Sequence, residues 1–369
     1  MIPIPDAFAG RYALARARFI AGVATHGLQL QQYLHPLKGL EGEELAVDVA
    51  LDGSPDAERL LIVSSGCHGV EGLCGSGVQV FALHDEEWRA KARAEGIAVL
   101  YLHALNPHGF SFLRRVTQEN VDLNRNFIDF GKPRPSNPEY GQLDPILLPE
   151  RWPPDLQNEA ELGRMVAQLG EPRLQAIISR GQYDWPAGLF YGGAEPTWSH
   201  RTLRSILQAY GRWARHIAWL DVHTGLGPFG YCERIYIGAG DSASMQRAEG
   251  WWGGNGTTPV TLAGGAGSAS AELNGQMHGC MLQECPQAEL TGIALEFGTE
   301  PAIQVLQALR GDHWLHRHPE AAADEALVAQ IRAQMRKAFY DDSDGWKGQV
   351  ISQARQAMFQ AVDGLAASD

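Results

Sequence analysis

The chain of 369 residues has few cysteines, few basic residues and no long apolar run. Its five cysteines form no C-x-x-C pair, and an odd number cannot all pair within one chain, so we expect reduced thiols. No window approaches the roughly 18 apolar residues that a membrane span needs. The first stretch, MIPIPDAFAGRYALARARFI, also lacks an unbroken apolar run. These absences predict a cytoplasmic protein without a membrane anchor.

The charge balance is negative, with 43 acidic and 30 basic residues and a formal net charge of −13. Such a surface repels phosphates, so we expect binding neither to nucleic acid nor to anionic membranes. The hydrophobic share of 44% and the charged share of 20% are typical of a globular protein. Nothing in this composition indicates the oligomeric state.

Short apolar runs alternate with helical patterns along the chain. Buried strands are predicted at residues 60–64, 97–104, 217–222 and 292–297. Helices are predicted at residues 6–35, 70–84, 200–216 and in most of 320–365. This alternation predicts an α/β fold with a mixed, largely parallel twisted sheet and helices on both faces. We expect one domain over residues 1–369, with long loop insertions near 131–190 and 240–275 that rim a site.

Polar residues follow three of the predicted strands. His68 and Glu71 come after the first, and their spacing of three lets an imidazole and a carboxylate face one metal ion. His223 follows the third strand, and Glu296 lies just inside the end of the fourth. A single H-x-x-E or a lone histidine is common by chance, but ligands of α/β sheets bind at the carboxyl ends of strands. The joint occurrence therefore predicts one shared crevice.

The stretch NPHGFSFLRRVTQENVDLNRNF at 106–127 carries Arg114, Arg115 and Arg125. A guanidinium binds a planar carboxylate through two parallel hydrogen bonds. The plain alternative is a solvated basic loop, although such a loop stands out in an acidic chain. We therefore expect this segment to recognise a substrate carboxylate.

The motifs in this order resemble the zinc carboxypeptidase superfamily, which contains carboxypeptidase A-like peptidases and the succinylglutamate desuccinylase and aspartoacylase group. The resemblance rests on H-x-x-E at 68–71, NPHGF, VDLNRNF, His223 and LEFGT around Glu296, over roughly residues 55–300. LDVHTG is similar to the second group, while LFYGG and PTWSHRTL resemble a bacterial branch of the superfamily.

The resemblance implies a fold of the zinc carboxypeptidase type and a role for each matching residue. It implies that one Zn²⁺ per chain is bound by His68, Glu71 and His223. It implies that Glu296 is the general acid and base and that Asp122 orients the first zinc histidine. It implies that Asn124 and Arg125 bind the substrate's carboxylate, and that one of Arg114 and Arg115, with a slight preference for Arg115, polarises the scissile carbonyl.

Two positions stay open at this point. Peptidases of the superfamily often close a tyrosine over the substrate, but only Tyr231 and Tyr236 occur between His223 and Glu296, both soon after the histidine. Cys67, beside His68, could be a reactive thiolate, although a small buried apolar residue is the commoner role.

The resulting hypothesis is a zinc-dependent hydrolase, carboxypeptidase-like, that cleaves an amide (peptide) bond in a substrate with a free carboxylate. The alternative is an N-acyl amino acid deacylase with the same site, so the expected partner is a peptide or an N-acyl amino acid. A non-catalytic binding protein on the same fold is a third hypothesis, but all the ligand and base positions are filled. A serine hydrolase is disfavoured because the chain has no G-x-S-x-G motif.

Overall fold

The computed structural model describes residues 1–238, 240–253, 259–265 and 267–368. Residues 254–258 and 266, which belong to the insertion expected at 240–275, lie outside the described residues. The strands are β1 (Gln29–Lys38), β2 (Glu44–Asp52), β3 (Arg59–Ser65), β4 (Ile97–His103), β5 (His216–Phe229), β6 (Cys232–Tyr236), β7 (Val260–Thr261) and β8 (Glu289–Gly298). The helices are α1 (Ile4–Ala7), α2 (Tyr12–Thr25), α3 (Gly72–Leu83), α4 (Glu86–Ala94), α5 (Pro107–Phe112), α6 (Tyr140–Leu147), α7 (Leu156–Leu169), α8 (Glu171–Ser179), α9 (Trp198–Tyr210), α10 (Ser242–Trp252), α11 (Met281–Glu284), α12 (Ala302–Arg317), α13 (Glu325–Phe339) and α14 (Asp344–Ala366).

The strands of the described residues form one sheet in the order β1-β2-β4-β3-β5-β8-β6-β7. The central strands β4, β3, β5 and β8 run parallel, whereas β1, β2 and β6 run antiparallel to their inner neighbours. This confirms the predicted mixed, largely parallel α/β sheet. The order also makes β3, β5 and β8 neighbours, so their carboxyl ends meet at one edge of the sheet.

Helices cover both faces of the sheet because the central strands are apolar on both sides. Successive side chains of a strand point to opposite faces. Leu61 and Val63 of β3 belong to a core that includes residues of α2, α3 and α14. Leu60 and Ile62 belong to a second core that includes residues of α9. The prediction of helices on both faces is therefore confirmed.

Local predictions agree with the structure at the four buried strands and fail near the N-terminus. The helix expected over residues 6–35 is wrong beyond Thr25, because Gln29–Lys38 is the edge strand β1, paired with β2. The apolar spacing of three and four does not continue past Val23, and pairing with β2 then determines the conformation. Likewise, α9 ends at Tyr210, so the helix expected to reach residue 216 is too long.

The segment 131–190 contains α6, α7 and α8 rather than loop alone. The segment 240–275 contains α10 and β7. The single-domain organisation and the assignment of both segments as insertions remain predictions. Among the described residues, no helix combines the length and the apolar composition that crossing a bilayer requires.

Candidate metal centre

The turn that carries His68 and Glu71 follows β3 directly and rests on the arginine-bearing loop. His68 precedes a 3-10 helix at Gly69–Glu71. The Gly69 N–H donates to the backbone carbonyl of Arg115 at 3.1 Å. A Cβ at Gly69 would lie 2.0 Å from the carbonyl carbon of Gly109, so any side chain would push the two segments apart. This close approach holds the H-x-x-E turn against the loop.

His68, Glu71 and His223 converge on one point. His68 Nδ1 lies 2.9 Å from Glu71 Oε1, and His223 Nδ1 lies 2.9 Å from Glu71 Oε2. The potential ligand atoms of the three residues all lie within 4.8 Å of one another, and each residue is at most 5% exposed. The predicted H-x-x-E plus histidine set is therefore assembled as a group that could hold a metal ion.

The second nitrogen of each imidazole faces a carboxylate. His68 Nε2 lies 3.1 Å from Asp122 Oδ1, and His223 Nε2 lies 2.6 Å from Asp221 Oδ2. A carboxylate in this position takes the N–H of a metal-bound imidazole and leaves the other nitrogen for the metal. The resemblance assigns the first of these positions to Asp122, and its role toward a zinc ligand remains a prediction. Asp221 is an addition that the D-x-H spacing in LDVHTG could have indicated, since residues two apart on a strand share a face.

The structure separates the adjacent arginines. Arg115 Nη1 donates to Glu71 Oε1 at 2.9 Å, and its Nε donates to Asp122 Oδ2 at 3.1 Å. Its Nη2 lies 2.8 Å from His68 Nε2; because a guanidinium only donates, this contact competes with the bond from His68 to Asp122. Arg114 Nε donates instead to the carboxylate of Asp312 in α12. Arg114 is not among the described residues that line the adjacent cavity. Arg115 is thus the arginine that the fold brings to the candidate ligands.

Asn124 and Arg125 lie side by side in a 3-10 helix, Leu123–Arg125, next to the candidate ligands. Arg125 Nε donates to the Ser179 carbonyl at 2.8 Å, and its Nη1 donates to the Asn124 carbonyl at 3.0 Å. The Asn124 Oδ1 accepts the Met277 N–H at 2.8 Å, which leaves its amide NH₂ as a donor. Backbone contacts therefore fix both side chains before any substrate arrives.

Phe190 is a site residue that sequence reasoning missed, although its LFYGG phrase was noted. Its ring centroid lies 5.3 Å from the guanidinium carbon of Arg115 and 5.4 Å from that of Arg125. Two cations on one ring are stabilised by its negative faces. Phe190 also has a φ of +53°, which is unusual for a bulky residue and is typical of backbone held in place by its surroundings.

A cavity of about 600 Å³ joins these groups. Its polar part is lined by His68, His223, Glu296, Arg115, Asn124 and Arg125. Its apolar part comes from α7, α8 and α12, with Leu174, Ile178 and Leu306 among the lining residues. Both predicted insertions reach the cavity, the first through α7 and α8 and the second through Leu273. A cavity of this size and lining is typical of a small-molecule site.

The two glutamates of the site have opposite electrostatic settings. Burial would raise the pKa of Glu71, but His68 and His223 beside it hold that pKa below its ordinary range. Burial, reinforced by the charge of Glu71, raises the pKa of Glu296 to about 8. The Leu226 N–H donates to Glu296 Oε1 at 3.1 Å. Glu71 is therefore a permanent anion, whereas Glu296 exchanges a proton near neutral pH.

The structure places Cys67 and the tyrosines whose roles the sequence left open. Cys67 is fully buried, and burial raises the pKa of its thiol well above the ordinary value, which disfavours a reactive thiolate. No tyrosine, including Tyr231 and Tyr236, is among the described residues that line the cavity. His278, which sequence reasoning did not single out, does line it.

Comparison with solved structures finds low-similarity likenesses across most of the chain. Bovine thrombin-activatable fibrinolysis inhibitor, in complex with tick carboxypeptidase inhibitor, is 11% identical with a TM-score of 0.45 and coverage of 89% of this chain and 96% of that one. A metallo-carboxypeptidase from Pseudomonas aeruginosa is 13% identical with a TM-score of 0.43 and coverage of 95% and 68%. An aspartoacylase family protein from Mesorhizobium loti is 14% identical with a TM-score of 0.32 and coverage of 78% and 66%.

The names of these proteins agree with the superfamily that the sequence motifs resemble. At such TM-scores the likenesses carry no argument about substrate or catalysis. No curated protein matches the chain. A family model described as a protein of unknown function, DUF2817, matches residues 8–353. The chain therefore belongs to the DUF2817 family.

Proposed function

We propose that the chain is a zinc-dependent hydrolase that cleaves an amide (peptide) bond in a substrate with a free carboxylate, in the manner of a carboxypeptidase. The observation that carries this proposal is the convergence of His68, Glu71 and His223 at the wall of a cavity that also contains Glu296 and Arg125. The residues belong to different strand ends and loops. His68, His223, Glu296 and Arg125 nevertheless line one cavity, and Glu71 lies 2.9 Å from both histidines.

The donor set fits zinc. Two imidazoles and one carboxylate are a common ligand set of catalytic zinc sites, which keep a further position open. Among the described residues the group has three members, and both imidazoles have a carboxylate behind them at Asp122 and Asp221. When bound, zinc supplies Lewis acidity, which polarises a carbonyl oxygen and acidifies water.

Glu296 is the proton carrier in this proposal. The residue is 8% exposed and lines the cavity from β8, in register with His223 on β5. A general base must accept the proton of the attacking water and return it to the leaving amine. Burial raises the pKa of Glu296 to about 8, and a cation held by His68, Glu71 and His223 would lower it, which favours the carboxylate that accepts the proton.

Arg115 and Arg125 contact different parts of the substrate in this proposal. Arg115 contacts the candidate ligands, so its guanidinium is placed to stabilise negative charge that develops on the scissile carbonyl oxygen. Arg125 and the amide of Asn124 lie further along the same wall and are placed to bind the free carboxylate. With both ends held, the amide bond lies across the site.

The alternative, an N-acyl amino acid deacylase, has a specific observation in its favour. The cavity volume of about 600 Å³ is in the range of small-molecule sites, and helices α7, α8 and α12 wall it on the apolar side. A closed apolar wall suits an acyl chain or one amino-acid side chain more readily than a long peptide. The two functions share every site residue and differ only in substrate.

The decisive experiment is a mass-spectrometric screen of the zinc-loaded chain against peptides and N-acyl amino acids. The metal-stripped chain and Glu296→Gln serve as controls, and cleavage must need both the metal and Glu296. Peptide products support the carboxypeptidase function, and N-acyl amino acid cleavage without any peptide cleavage supports the deacylase. Cleavage that survives in both controls contradicts the proposal.

The carboxylate role of Arg125 has its own test. Arg125→Ala and amidation of the substrate carboxylate each lower kcat/KM by roughly 10- to 100-fold, the range expected for a lost charge-assisted pair. The two losses do not add, because both remove one interaction. The matched control is Arg114→Ala, which changes an arginine outside the cavity. A preference for amidated substrates contradicts the assignment.

A further inference from the structure

A recess of the cavity lies behind the row of His223 and Glu296. Asp221 of β5 pairs in register with Ala294 of β8, and Ala294 pairs in turn with Ile235 of β6. All three line the cavity. Residues two apart on a strand share a face and lie about 6.6 Å apart, so this row is one step behind the proposed reacting groups. The recess is therefore adjacent to the position that the proposed function gives to the scissile bond.

The floor of the recess is apolar. Ile235 and Ala294 are 6% and 7% exposed, so only a small part of each contacts the cavity. Asp221 has both oxygens engaged, one with His223 Nε2 at 2.6 Å and one with Ser64 Oγ at 2.6 Å. Both oxygens of Asp221 are thus already hydrogen-bonded, and neither Ile235 nor Ala294 has a side-chain donor for a ligand.

His278 provides such a group. It lies in the 3-10 helix Met277–Cys280, lines the same cavity and is near enough to Asp221 and His223 for both to influence its pKa. Its ring makes no hydrogen bond with another described residue, and the residue is partly buried. Loss of solvent around the ring lowers the pKa of His278, which favours the neutral imidazole with one donor and one acceptor.

The backbone around His278 is anchored to the carboxylate-binding segment. The Met277 N–H donates to Asn124 Oδ1 at 2.8 Å, and the Phe127 N–H donates to the Gly275 carbonyl at 3.0 Å. Gly275 has a φ of +66°, and a Cβ there would lie 2.2 Å from the Arg125 carbonyl oxygen. Only glycine allows this approach. His278 is thus held at a fixed place relative to Asn124 and Arg125.

We propose that His278 is a specificity-determining residue, which hydrogen-bonds a polar atom on the substrate group that enters the recess. This inference rests on the proposed function for the position of the scissile bond. The proposed substrates are therefore carboxylates with a side chain that enters the recess. This side chain is largely apolar and ends in a hydroxyl or an amide.

The test measures binding rather than turnover. The Glu296→Gln chain, zinc-loaded and metal-stripped in parallel, is titrated calorimetrically with three matched pairs of probes: N-acetyltyrosine and N-acetylphenylalanine, N-acetylthreonine and N-acetylvaline, N-acetylasparagine and N-acetylleucine. Each pair differs mainly by polar atoms. We expect the polar member of at least one pair to bind more tightly than its apolar partner. His278→Ala should reduce this ratio of dissociation constants by about fivefold, the worth of one neutral hydrogen bond. His278→Asn retains part of the preference, because it keeps a donor and an acceptor.

Gln276→Ala is the matched control, since Gln276 lines the same cavity two residues away. It leaves the preference unchanged, and zinc content stays the same in all these variants. A preference that persists in His278→Ala overturns the inference, and so does a complete failure of the six probes to bind. If the probes bind with a His278-dependent preference but the wild-type chain cleaves nothing, the inference stands and the proposed function fails. If the wild-type chain cleaves its substrate and His278→Ala has unchanged selectivity, the proposed function stands and the inference about His278 fails.

Discussion

Two buried histidine clusters of this chain have similar residue types, but only one of them is a candidate functional site. In the candidate metal centre, His68 and His223 each have a carboxylate at both ring nitrogens. The second cluster lies between β2, β4 and α3, where Ser76 Oγ is 2.9 Å from His103 Nε2. Its Asp48 Oδ2 is 3.9 Å from His103 Nδ1, too far for a hydrogen bond. By residue type the second cluster looks like a Ser-His-Asp nucleophile set.

The surroundings separate the two clusters. Asp48, Ser76 and His103 are at most 1% exposed, and His103 stacks on Phe19 with ring centroids 4.4 Å apart. Burial lowers the pKa of His103 to about 4, so the ring is a neutral part of the core. Burial acts in the same direction on His223, but its carboxylate neighbours raise the pKa well above the ordinary value. A cluster becomes a candidate site through its access to a cavity and through charge partners, and residue types alone do not distinguish the two.

The largest expected effect comes from removing a candidate ligand. His68→Ala or His223→Ala lowers the zinc content from about one per chain to near zero and abolishes hydrolysis, because two donors do not make a stable site. His103→Ala is the matched change in the core cluster. It keeps the zinc but lowers the free energy of unfolding by about 3 kcal/mol, the typical cost of a core cavity. Elemental analysis and chemical denaturation measure both quantities. Full zinc content in both ligand variants would show that the centre is misassigned.

Glu296→Gln should have the next largest effect. Glutamine keeps the shape but cannot accept a proton, so kcat falls by roughly 10²- to 10⁴-fold while the zinc content is unchanged. Glu233→Gln is the matched control, since Glu233 pairs in register with Glu296 but bonds to Thr261 at 2.6 Å and is absent from the described lining of the cavity. Steady-state kinetics distinguish the two variants. Activity of Glu296→Gln within about tenfold of the wild type would point to another base.

A smaller effect is expected from the carboxylates behind the imidazoles. Asp122→Asn and Asp221→Asn each weaken zinc binding by roughly 10- to 100-fold, because asparagine does not take the imidazole N–H as strongly as an anion does. Asp48→Asn, the equivalent change in the core cluster, leaves zinc affinity unaltered. Competition with a chelator measures all three affinities. Equal affinity in the wild type and both site variants would remove these aspartates from the metal centre.

The last effect is on the pH dependence of the stability of the chain without metal. The pKa of Glu296 is raised from an ordinary value of 4.5 to about 8, so the folded chain holds this proton more tightly than the unfolded chain. The wild type therefore loses stability relative to Glu296→Gln as pH rises from about 4.5 to about 8, by at most about 5 kcal/mol. Denaturant titrations of both metal-stripped chains across this range measure the difference. A constant difference would show that the carboxyl group titrates normally.

Much of the site could be predicted because its residues lie in short local motifs. His68 and Glu71 are three residues apart, and Asp122, Asn124 and Arg125 lie in one short stretch, so their spacing is visible along the chain. The choice between Arg114 and Arg115 could not be made, since adjacent residues point in different directions and only the packing against α12 decides. The error at Gln29–Lys38 has a similar cause, because an edge strand depends on its partner β2 more than on local periodicity.

By itself the sequence determined the alternation of strands and helices, the candidate ligands and the cationic loop, since these depend on periodicity and on the spacing of nearby residues. Only the tertiary structure decided that Glu71 and His223, 152 residues apart, meet at 2.9 Å, that His278 lines the cavity and that His103 is sealed in the core. The physical reason is that strand order brings distant segments together. Which side chains then reach the cavity follows from backbone contacts such as those at Gly69 and Gly275, and these contacts join parts of the chain that no local pattern connects.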